Sequence, residues 1–516
     1  MGQNSLLAID CGTQSLRALL FSETGELLDR VQVEYEPYFS TKPGWAEQDS
    51  EVYWQSLCSA CIMLKERNRA IFRSISGVGI TCQRDTMICV DNHGIPLRPA
   101  VTWLDQRKAR PVFGSRGLLR TGLRLTGLEA AVTEVQADGK CNWIMQNQPE
   151  IWGATHKYLQ VSGFLNFSLT GVFSDSVASQ IGYIPFNYKK QRWAKKLELP
   201  ALLFPVDHGR LPDLIQPGHV LGAVTPRASA ATGITQGVPV VACGSDKGCE
   251  TLGAGVLDET MASMSFGTTA TVQTTSRNYF EVIRFMPPYP AVVPGKFNPE
   301  LEIFRGFWMI SWFKNQFAHE EVEEARTMGI PAEEILDRHL VKTGPGAMGL
   351  VVQPYWGPGL DHPLAKGAMI GFGDVHTKAH IYRAVIEGLG YALREGLERI
   401  EKKGNLVIRR AAVSGGASQS AEICRIMAGI MNRPMVRGMT HETSGLGAAI
   451  LTAIGTGIYS GFDQAVQAMV HVRDVFEPDP EQTGLYQDMY QGVYKKMYAA
   501  LEPLYARIKT ITGYPE

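Results

Sequence analysis

Residues 5–21 read SLLAIDCGTQSLRALLF, which is two apolar runs separated by a polar turn. The runs predict strands at residues 5–9 and 16–21, and another strand is predicted at residues 27–35. This opening sets strand beside strand with no helix between them, so it is not a βαβ unit. The sequence therefore argues against a dinucleotide-binding fold of the Rossmann kind.

A second hairpin of the same kind occurs past the middle of the chain. Residues 260–266 and 270–274 are predicted strands, and Gly267-Thr268-Thr269 is the turn between them. A chain of 516 residues is too long for one ordinary core. The two hairpins therefore predict two domains built on one plan. The boundary is expected near residues 254–258, which gives domains of residues 1–254 and 255–516.

The composition narrows the class of protein. The 50 basic and 51 acidic residues leave a formal net charge of −1. Nucleic acids and anionic membranes favour basic surfaces, so we expect neither as a partner. No apolar run predicts a transmembrane helix, and the N-terminus lacks the pattern of a secretory signal. The nine cysteines are scattered, which favours reduced thiols in a cytoplasmic protein.

Both hairpin turns have the composition of a phosphate-binding loop. Glycine and small hydroxyl residues leave backbone N–H groups free to point at phosphate oxygens, and Thr13, Ser15, Thr268 and Thr269 add hydroxyl donors. Asp10, at the start of the first turn, would repel phosphate unless it holds Mg²⁺. Tight hairpins with polar turn residues would have the same sequence, and the chain has no Walker A loop.

A candidate general base follows an apolar strand. The strand ends at Gly244, and Asp246 begins a predicted helix. An aspartate in that place can cap the helix N-terminus, or it can accept the proton of an attacking hydroxyl.

A candidate acceptor site lies between two predicted apolar strands, at residues 75–81 and 86–90. Gln83, Arg84 and Asp85 stand where a strand would normally continue with apolar residues, and an amide, a guanidinium and a carboxylate can bind adjacent sugar hydroxyls. The alternative is an Arg84–Asp85 ion pair on an exposed strand end. Trp103 could stack on a sugar or fill the core. Late in the chain, Gly415 and Gly416 join a strand to a helix and would let a flat ring approach the backbone, although such a loop is usually just a turn.

Taken in this order, these segments resemble the FGGY carbohydrate kinases, the family of glycerol, xylulose, ribulose and gluconate kinases. The resemblance covers roughly residues 5–457. The segments that carry it are residues 8–17, 44–49, 79–86, 101–107, 216–255, 265–269, 366–368, 383–388, 414–420 and 445–449.

The resemblance implies an α/β protein of two RNase H-like, actin-like domains. It implies ATP, Mg²⁺ and a small sugar or polyol in a catalytic cleft between the domains, with Asp246 as the base and Asp10 helping to place Mg²⁺. The other implied site residues are Thr13, Ser15, Arg17, Gly267 and Thr268 near phosphate, Gly416 and Ser420 beside the adenosine, and Gln83, Arg84, Asp85 and Trp103 around the acceptor. Members of this family are often dimers, so a homodimer is one expected assembly.

The chain departs from the family pattern around the acceptor. Arg84-Asp85 replaces the Met-His pair usual in xylulose kinases and is closer to the Gln-Arg-Glu triplet of glycerol kinases. The tyrosine of a glycerol site is missing, and Val135 falls nearest its place. Lys247 follows Asp246 where glutamine or a small residue is usual; it could meet a substrate carboxylate or be a solvated helix residue. These departures predict a branch with its own acceptor, a polyol, ketose or sugar acid.

Two other functions share parts of this pattern. A non-kinase actin-like ATPase would have the same phosphate turns, but the acceptor segment and Asp246 argue against it. A catalytically silent sugar-binding regulator would have lost turnover, which the retained Asp246 argues against. Dependence of ATP turnover on added sugar separates these functions from a kinase.

Overall fold

The structure, a computed structural model, describes residues 4–113, 121, 123–125, 127–356, 362 and 364–514. The chain forms two compact units. Unit 1 consists of Met1–Leu257, Pro287–Asn298 and Thr443–Val470, and unit 2 of Asp258–Met286, Pro299–Glu442 and His471–Glu516. In the part of the chain that the structure describes, no helix is long and apolar enough to cross a membrane. The predicted boundary between residues 254 and 255 stays a prediction.

The strands, in chain order, are β1 (Ser5–Cys11), β2 (Ser15–Ser22), β3 (Leu27–Glu34), β4 (Glu47–Gln48), β5 (Ile75–Cys82), β6 (Met87–Val90), β7 (Ala100–Val101), β8 (Lys157–Gln160), β9 (Ser174–Ser176), β10 (Phe186–Asn187), β11 (Arg192–Trp193), β12 (Asp213–Ile215), β13 (Val220–Ala223), β14 (Pro239–Val241), β15 (Met261–Phe266), β16 (Ala270–Thr274), β17 (Tyr289–Pro290), β18 (Phe297–Asn298), β19 (Glu300–Ile303), β20 (Val351–Gln353), β21 (Ala368–Ile370), β22 (Arg410–Ser414), β23 (Met435–Gly438) and β24 (Val472–Phe476).

The α-helices that the structure describes throughout are α1 (Glu51–Arg67), α2 (Arg69–Arg73), α3 (Glu129–Asp138), α4 (Lys140–Asn147), α5 (Pro149–Ala154), α6 (Val161–Thr170), α7 (Leu199–Leu203), α8 (Pro226–Thr232), α9 (Asp246–Gly253), α10 (Trp308–Phe317), α11 (His319–Met328), α12 (Ala332–Lys342), α13 (Lys378–Gly404), α14 (Ala421–Met431), α15 (Thr443–Gly455), α16 (Phe462–Met469), α17 (Pro480–Met489) and α18 (Lys495–Thr512).

Each unit is built on a six-stranded sheet, and neighbouring strands have the same relative directions in the two sheets. In unit 1 the order is β13-β14-β5-β1-β2-β3, and in unit 2 it is β24-β23-β22-β15-β16-β19. Each sheet contains an antiparallel meander, β1-β2-β3 in unit 1 and β15-β16-β19 in unit 2. Two strands continue each sheet in parallel, β5 and β14 in unit 1 and β22 and β23 in unit 2. An antiparallel edge strand completes it, β13 in unit 1 and β24 in unit 2. This is the RNase H-like arrangement, and it confirms the predicted fold class and the repeat inferred from the two hairpins.

Both faces of the unit 1 sheet are covered, which explains the unbroken apolar run at the start of the chain. Alternate residues of β1 enter two different cores: Leu7 and Ile9 pack with residues of α1 and α6, whereas Leu6 and Ala8 pack with residues of α9 and α15. A strand buried on both sides cannot alternate between apolar and polar residues, because each face needs an apolar side chain.

Helices α9 and α15 cross at backbone contact in unit 1. A Cβ atom on Gly253 would lie 2.0 Å from the carbonyl oxygen of Thr443, and one on Gly447 would lie 1.9 Å from that of Cys249. Only glycine fits at such a crossing. The crossing holds α9, and therefore Asp246 at its first turn, against the sheet.

The observed elements refine the predicted ones at their ends. Strands β1, β2 and β5 each extend one or two residues past the predicted positions and so reach the polar turns. Helix α13 begins at Lys378, with Thr377 as its N-cap. All nine cysteines are free and eight of them are buried, as expected of reduced thiols.

Candidate active site

The first predicted phosphate turn joins β1 to β2 in unit 1. The Gly12 N–H donates to the Ser15 carbonyl oxygen at 2.9 Å, and the Tyr35 hydroxyl donates to the Gly12 carbonyl oxygen at 2.6 Å. The Thr13 hydroxyl donates to the Gln83 side-chain oxygen at 3.1 Å and accepts from the Trp103 indole N–H at 2.9 Å. The turn is therefore linked directly to the predicted acceptor residues Gln83 and Trp103.

Asp10 and Arg17 face each other across the β1–β2 ladder. Their Cα atoms are register partners, and Arg17 Nη1 lies 3.5 Å from Asp10 Oδ2. Asp10 is only 8% exposed, and Arg17 also donates to Gln32. A single carboxylate beside a phosphate-binding turn suits Mg²⁺, which takes few ligands from protein and the rest from phosphate and water. Among the described residues, no group of three or more His, Cys, Asp or Glu side chains is placed to hold a metal ion.

The triplet Gln83-Arg84-Asp85 follows β5 immediately, but its charged members do not pair with each other. Arg84 Nε lies 3.9 Å from Asp246 Oδ1. Asp85 Oδ2 instead receives the Lys140 ammonium at 2.5 Å, at the start of α4. The alternative of an Arg84–Asp85 pair on an exposed strand end is therefore wrong, because each charge has a partner from elsewhere in unit 1.

Asp85 is held in a strained and crowded position. Its φ angle is +54°, a region that costs a non-glycine residue free energy, and the N–H of Tyr183 lies 3.4 Å from Asp85 Oδ1. A Cβ atom on Gly182 would lie only 2.2 Å from Asp85 Oδ1. Burial raises the pKa of Asp85, and the nearby Lys140 ammonium acts in the opposite direction.

Trp103 follows the short strand β7 and is 39% exposed. The alternative that Trp103 fills the core is therefore wrong. Its indole nitrogen is fixed by Thr13, so the exposed ring has a defined orientation next to the first turn.

Asp246 is the first residue of α9, and it does not cap that helix. The N-cap is Ser245, whose hydroxyl accepts the Gly248 N–H at 3.2 Å. Asp246 Oδ1 accepts the Lys247 N–H at 2.8 Å. Burial raises the pKa of the Asp246 carboxyl, and Arg84 followed by Lys247 counteracts the rise. A carboxylate with a raised pKa is a stronger base than an ordinary surface aspartate.

Lys247 points along its own helix. Its ammonium lies 2.7 Å from Glu250 Oε2, one turn further on, and Glu250 is buried. This pairing explains why a lysine is tolerated beside Asp246.

The second predicted phosphate turn joins β15 to β16 in unit 2. The Gly267 carbonyl oxygen accepts the Phe307 N–H at 3.0 Å, and the exposed Thr268 offers its carbonyl to the Trp308 N–H at 3.4 Å. The bulky segment that begins at Gly306 therefore braces this turn. A Cβ atom on Gly306 would lie 2.3 Å from the Ala270 nitrogen, which requires glycine at that point.

The predicted adenosine loop lies at the same edge of the unit 2 sheet. Gly415, at φ +82°, approaches the backbone so closely that a Cβ atom would lie 3.0 Å from the Gly267 nitrogen. Apart from the two chain neighbours of Gly416, no residue that the structure describes has an atom within 4 Å of the position that a Cβ on Gly416 would take, so this side of the loop is open among the described residues. Parallel pairing of β15 and β22 thus brings Gly267 and Gly416 together.

Ser420 caps α14, and its hydroxyl also donates to Asp337 on α12 at 2.8 Å. Burial raises the pKa of Asp337 to about 6, the hydrogen bond from Ser420 lowers it, and the neighbouring Glu422 raises it. Asp337 was not foreseen from the sequence, because nothing in the helical stretch around it distinguishes it from surface acids.

The sequence did not predict two further residues of the candidate site in unit 1, Lys140 and Tyr289. Lys140 lies 55 positions from its partner Asp85. Tyr289 lies on the β17–β18 hairpin and stacks on Arg84, with the guanidinium carbon 5.0 Å from the ring centroid. Val135, which falls nearest the place of the missing tyrosine, instead packs partly buried in an apolar cluster.

Known proteins resemble this chain over nearly its full length. The N-terminal domain of the FGGY family of carbohydrate kinases matches residues 5–253, and the C-terminal domain of that family matches residues 262–456. The chain belongs to the FGGY family of carbohydrate kinases. Its reaction is therefore the transfer of a phosphoryl group from ATP to an alcohol group of a carbohydrate, and a non-kinase ATPase is not supported.

Individual relatives are similar at modest identity. The uncharacterized sugar kinase YgcE of Escherichia coli strain K12 is 27% identical over 498 residues, which cover 96% of this chain and 94% of YgcE. A xylulose kinase of Lactococcus lactis is 26% identical over 500 residues, with 96% of both chains covered. The crystal structure of a xylulose kinase from Rhodospirillum rubrum matches with a TM-score of 0.80 and 25% identity, over 98% of this chain and 100% of that one.

Residues 44–49 of this FGGY kinase, one of the segments that carry the family resemblance, have a structural role. The buried Glu47 carboxylate pairs with Arg98 and, at 2.9 Å, with Arg107. Arg107 also stacks on Trp45, with its guanidinium carbon 3.9 Å from the ring centroid, and pairs with Asp105 at 2.7 Å. This cluster fixes β4 against β7, the strand that leads into Trp103.

The late Arg383–Glu387 segment of the kinase is also structural. Arg383 donates to Glu387 at 2.7 Å, to the carbonyl oxygens of Leu340 and Thr343, and to the Tyr486 hydroxyl. The pair is buried, and its hydrogen bonds tie α13 to the end of α12.

Proposed function

We propose that this kinase phosphorylates a small polyol, ketose or sugar acid, with Asp246 as the general base that accepts the proton of the attacking hydroxyl. The observation that carries the proposal is the arrangement at one edge of the unit 1 sheet. There the Asp246 carboxylate, whose pKa burial raises, lies 3.9 Å from Arg84, and Gln83 and the exposed Trp103 both bond to Thr13.

The acceptor would be bound by hydrogen bonds and stacking. Arg84 and Gln83 offer donors to sugar oxygens, and the exposed indole of Trp103 offers a face to the C–H groups of the sugar. Asp85 would act mainly through its pair with Lys140, which fixes the local backbone at φ +54°. These contacts would orient one hydroxyl toward the Asp246 carboxylate, and orientation supplies much of the rate of phosphoryl transfer.

The nucleotide would be bound through both turns. We propose that the backbone and hydroxyls of Thr13, Ser15, Gly267 and Thr268 bind phosphate oxygens, with Arg17 adding positive charge. The open side of Gly416 and the Ser420–Asp337 pair would lie beside the adenosine. Asp10 would hold Mg²⁺, which neutralises charge on the phosphates when it is bound.

The phosphoryl transfer needs no covalent enzyme intermediate. Asp246 accepts the hydroxyl proton as the acceptor oxygen bonds to the γ-phosphorus, and ADP leaves with the bridging oxygen. The test is ADP release by the purified protein across a panel of polyols, ketoses and sugar acids. Release that depends on an acceptor supports the proposal, whereas release indifferent to every acceptor contradicts it. An inactive protein that still binds a sugar would instead be a regulator.

We propose further that the protein acts in the cytoplasm and assembles as a homodimer. Light scattering of the purified chain measures its mass in solution. A mass of twice 56.8 kDa supports the dimer, and a mass equal to one chain contradicts it.

A further inference from the structure

The hairpin formed by β17 and β18 is encoded far from the rest of the acceptor site. Its residues lie between β16 and β19, two neighbouring strands of the unit 2 sheet, yet Pro287–Asn298 belongs to unit 1. Within the hairpin, Tyr289 pairs with Asn298 and Pro290 pairs with Phe297. The segment is thus a short, regular element placed on unit 1.

The hairpin is anchored at its turn. The Lys296 ammonium donates to the Leu257 carbonyl oxygen at 2.6 Å, and the Lys296 carbonyl accepts from the Gln191 amide at 2.6 Å. Val292 is buried and packs on the loop before Asp246, where a Cβ atom on Gly244 would lie 2.4 Å from the Val292 side chain. The hairpin therefore contacts the same loop that presents the proposed base.

Tyr289, at the base of this hairpin, contacts the acceptor triplet. Its ring centroid lies 5.0 Å from the Arg84 guanidinium carbon, and the Arg84 side chain is 16% exposed. The ring is half-buried, and its centroid lies 6.1 Å from that of Tyr188, whose hydroxyl bonds to the Gly182 backbone. Arg84 thus contacts the Tyr289 ring and lies 3.9 Å from Asp246 Oδ1.

We propose that Tyr289 is a positioning residue for the acceptor. Its ring holds the Arg84 guanidinium by a cation–π contact, so that Arg84 donates to an acceptor oxygen while its distance from Asp246 stays too long for a tight ion pair. This inference rests on the proposed function and deepens it, because it assigns part of the acceptor affinity to the π-face of a residue outside the family motifs quoted above.

The contact between Tyr289 and Arg84 lowers the entropy cost of binding the acceptor. A long arginine side chain loses several rotamers when it binds a ligand, and a ring that fixes the guanidinium beforehand reduces that cost. Without the ring, Arg84 can move toward the Asp246 carboxylate and form a closer pair, which would withdraw both groups from the acceptor. Tyr289 should therefore affect the acceptor KM much more than the ATP KM.

The experiment measures the KM of residue-289 variants for ATP and for the acceptor that the panel identifies. We expect Tyr289→Phe to keep the acceptor KM within about 2-fold, because the ring is retained. Tyr289→Leu should raise it roughly 3- to 30-fold, the range that corresponds to a partly desolvated cation–π contact. The ATP KM should change by less than about 2-fold. Tyr279→Leu, which removes a half-buried tyrosine of unit 2, is the matched control and should change neither constant.

A fluorinated series gives the sharper test. Phenylalanine with one, two or three ring fluorines at residue 289 keeps the shape while it weakens the π-face, so it also serves if Tyr289→Leu does not fold. We expect the logarithm of the acceptor KM to rise with each fluorine, and we expect no rise in an Arg84→Met background.

Three results would overturn the inference. The acceptor KM could stay constant along the fluorinated series, the ATP KM could rise as much as the acceptor KM, or Tyr289→Phe could raise the acceptor KM as much as Tyr289→Leu. Such results with an active wild-type enzyme leave the proposed function standing. A wild-type enzyme with no acceptor-dependent ADP release would overturn the proposed function itself.

Discussion

Replacement of Glu47 by glutamine tests whether the buried ion-pair cluster around Glu47 supports the proposed acceptor site. Glu47 is 7% exposed and faces two buried guanidinium groups, those of Arg98 and Arg107. Asp105 is the other carboxylate that pairs with Arg107, at 2.7 Å. In Glu47→Gln the two arginines keep their charges but share one carboxylate, so a buried positive charge is left uncompensated.

The expected cost follows from that imbalance. Removing one partner of a buried ion pair costs about 3–5 kcal/mol, whereas an exposed pair contributes at most about 1 kcal/mol. For a unit of this size, we expect Glu47→Gln to lower the temperature of the unit 1 transition by roughly 5–8 °C. Because the cluster fixes β4 against β7, which leads into Trp103, the acceptor KM should rise as well.

Differential scanning calorimetry without ligands measures this effect. Glu134→Gln is the matched control, because Glu134 pairs with Lys108 on an exposed surface and should lose about 1 °C or less. A Glu47→Gln transition within 1–2 °C of the control would refute the reasoning and would mean that the two arginines have other compensation.

Three further predictions concern charge. Arg84→Met should move the acid limb of the plot of kcat/KM against pH to higher pH, because Arg84 lowers the pKa of Asp246 and the base must be ionised to act. An acid limb at the wild-type pH would mean that Arg84 does not affect the ionisation of the base. Lys140→Met should destabilise unit 1 by about 3–5 kcal/mol, since Asp85 is left buried without its cation, and adding Asp85→Asn should recover much of the loss; a double variant no better than the single would contradict the pair. Asp337 has a pKa near 6 in the folded state, above its unfolded value, so the folded state binds more protons and the stability of unit 2 should fall as pH rises from about 4 through 6. Asp337→Asn should flatten that part of the stability curve, measured by thermal melts across pH, and an unchanged slope would assign it to other groups.

Much of the fold could be predicted because its signals are local. Apolar runs bounded by glycine turns placed β1, β2, β5, β15 and β16 within one or two residues, and the two similar hairpins predicted the two matching sheets. The polar residues at the ends of those strands were also predicted, since the change from an apolar run to polar residues can be read directly from the sequence.

The partners of those residues could not be predicted, because they come from distant segments. Lys140 reaches Asp85 from a helix in which it resembles any surface lysine until the fold buries it. Tyr289 reaches Arg84 from a hairpin encoded beyond the second phosphate turn. Asp246 was expected either to cap its helix or to act as a base, and the serine before it proved to be the cap, a choice that depends on backbone angles rather than residue type.

The most direct test of the account is the rate of acceptor-dependent ADP release by wild-type protein and by Asp246→Asn. We predict that one class of polyol, ketose or sugar acid stimulates the wild-type protein. Asp246→Asn should lose about 10²-fold or more in kcat and should keep its ATP affinity, measured by calorimetric titration, within about 2-fold. A variant that turns over at the wild-type rate, or that loses ATP affinity in step with its activity, would contradict the role assigned to Asp246.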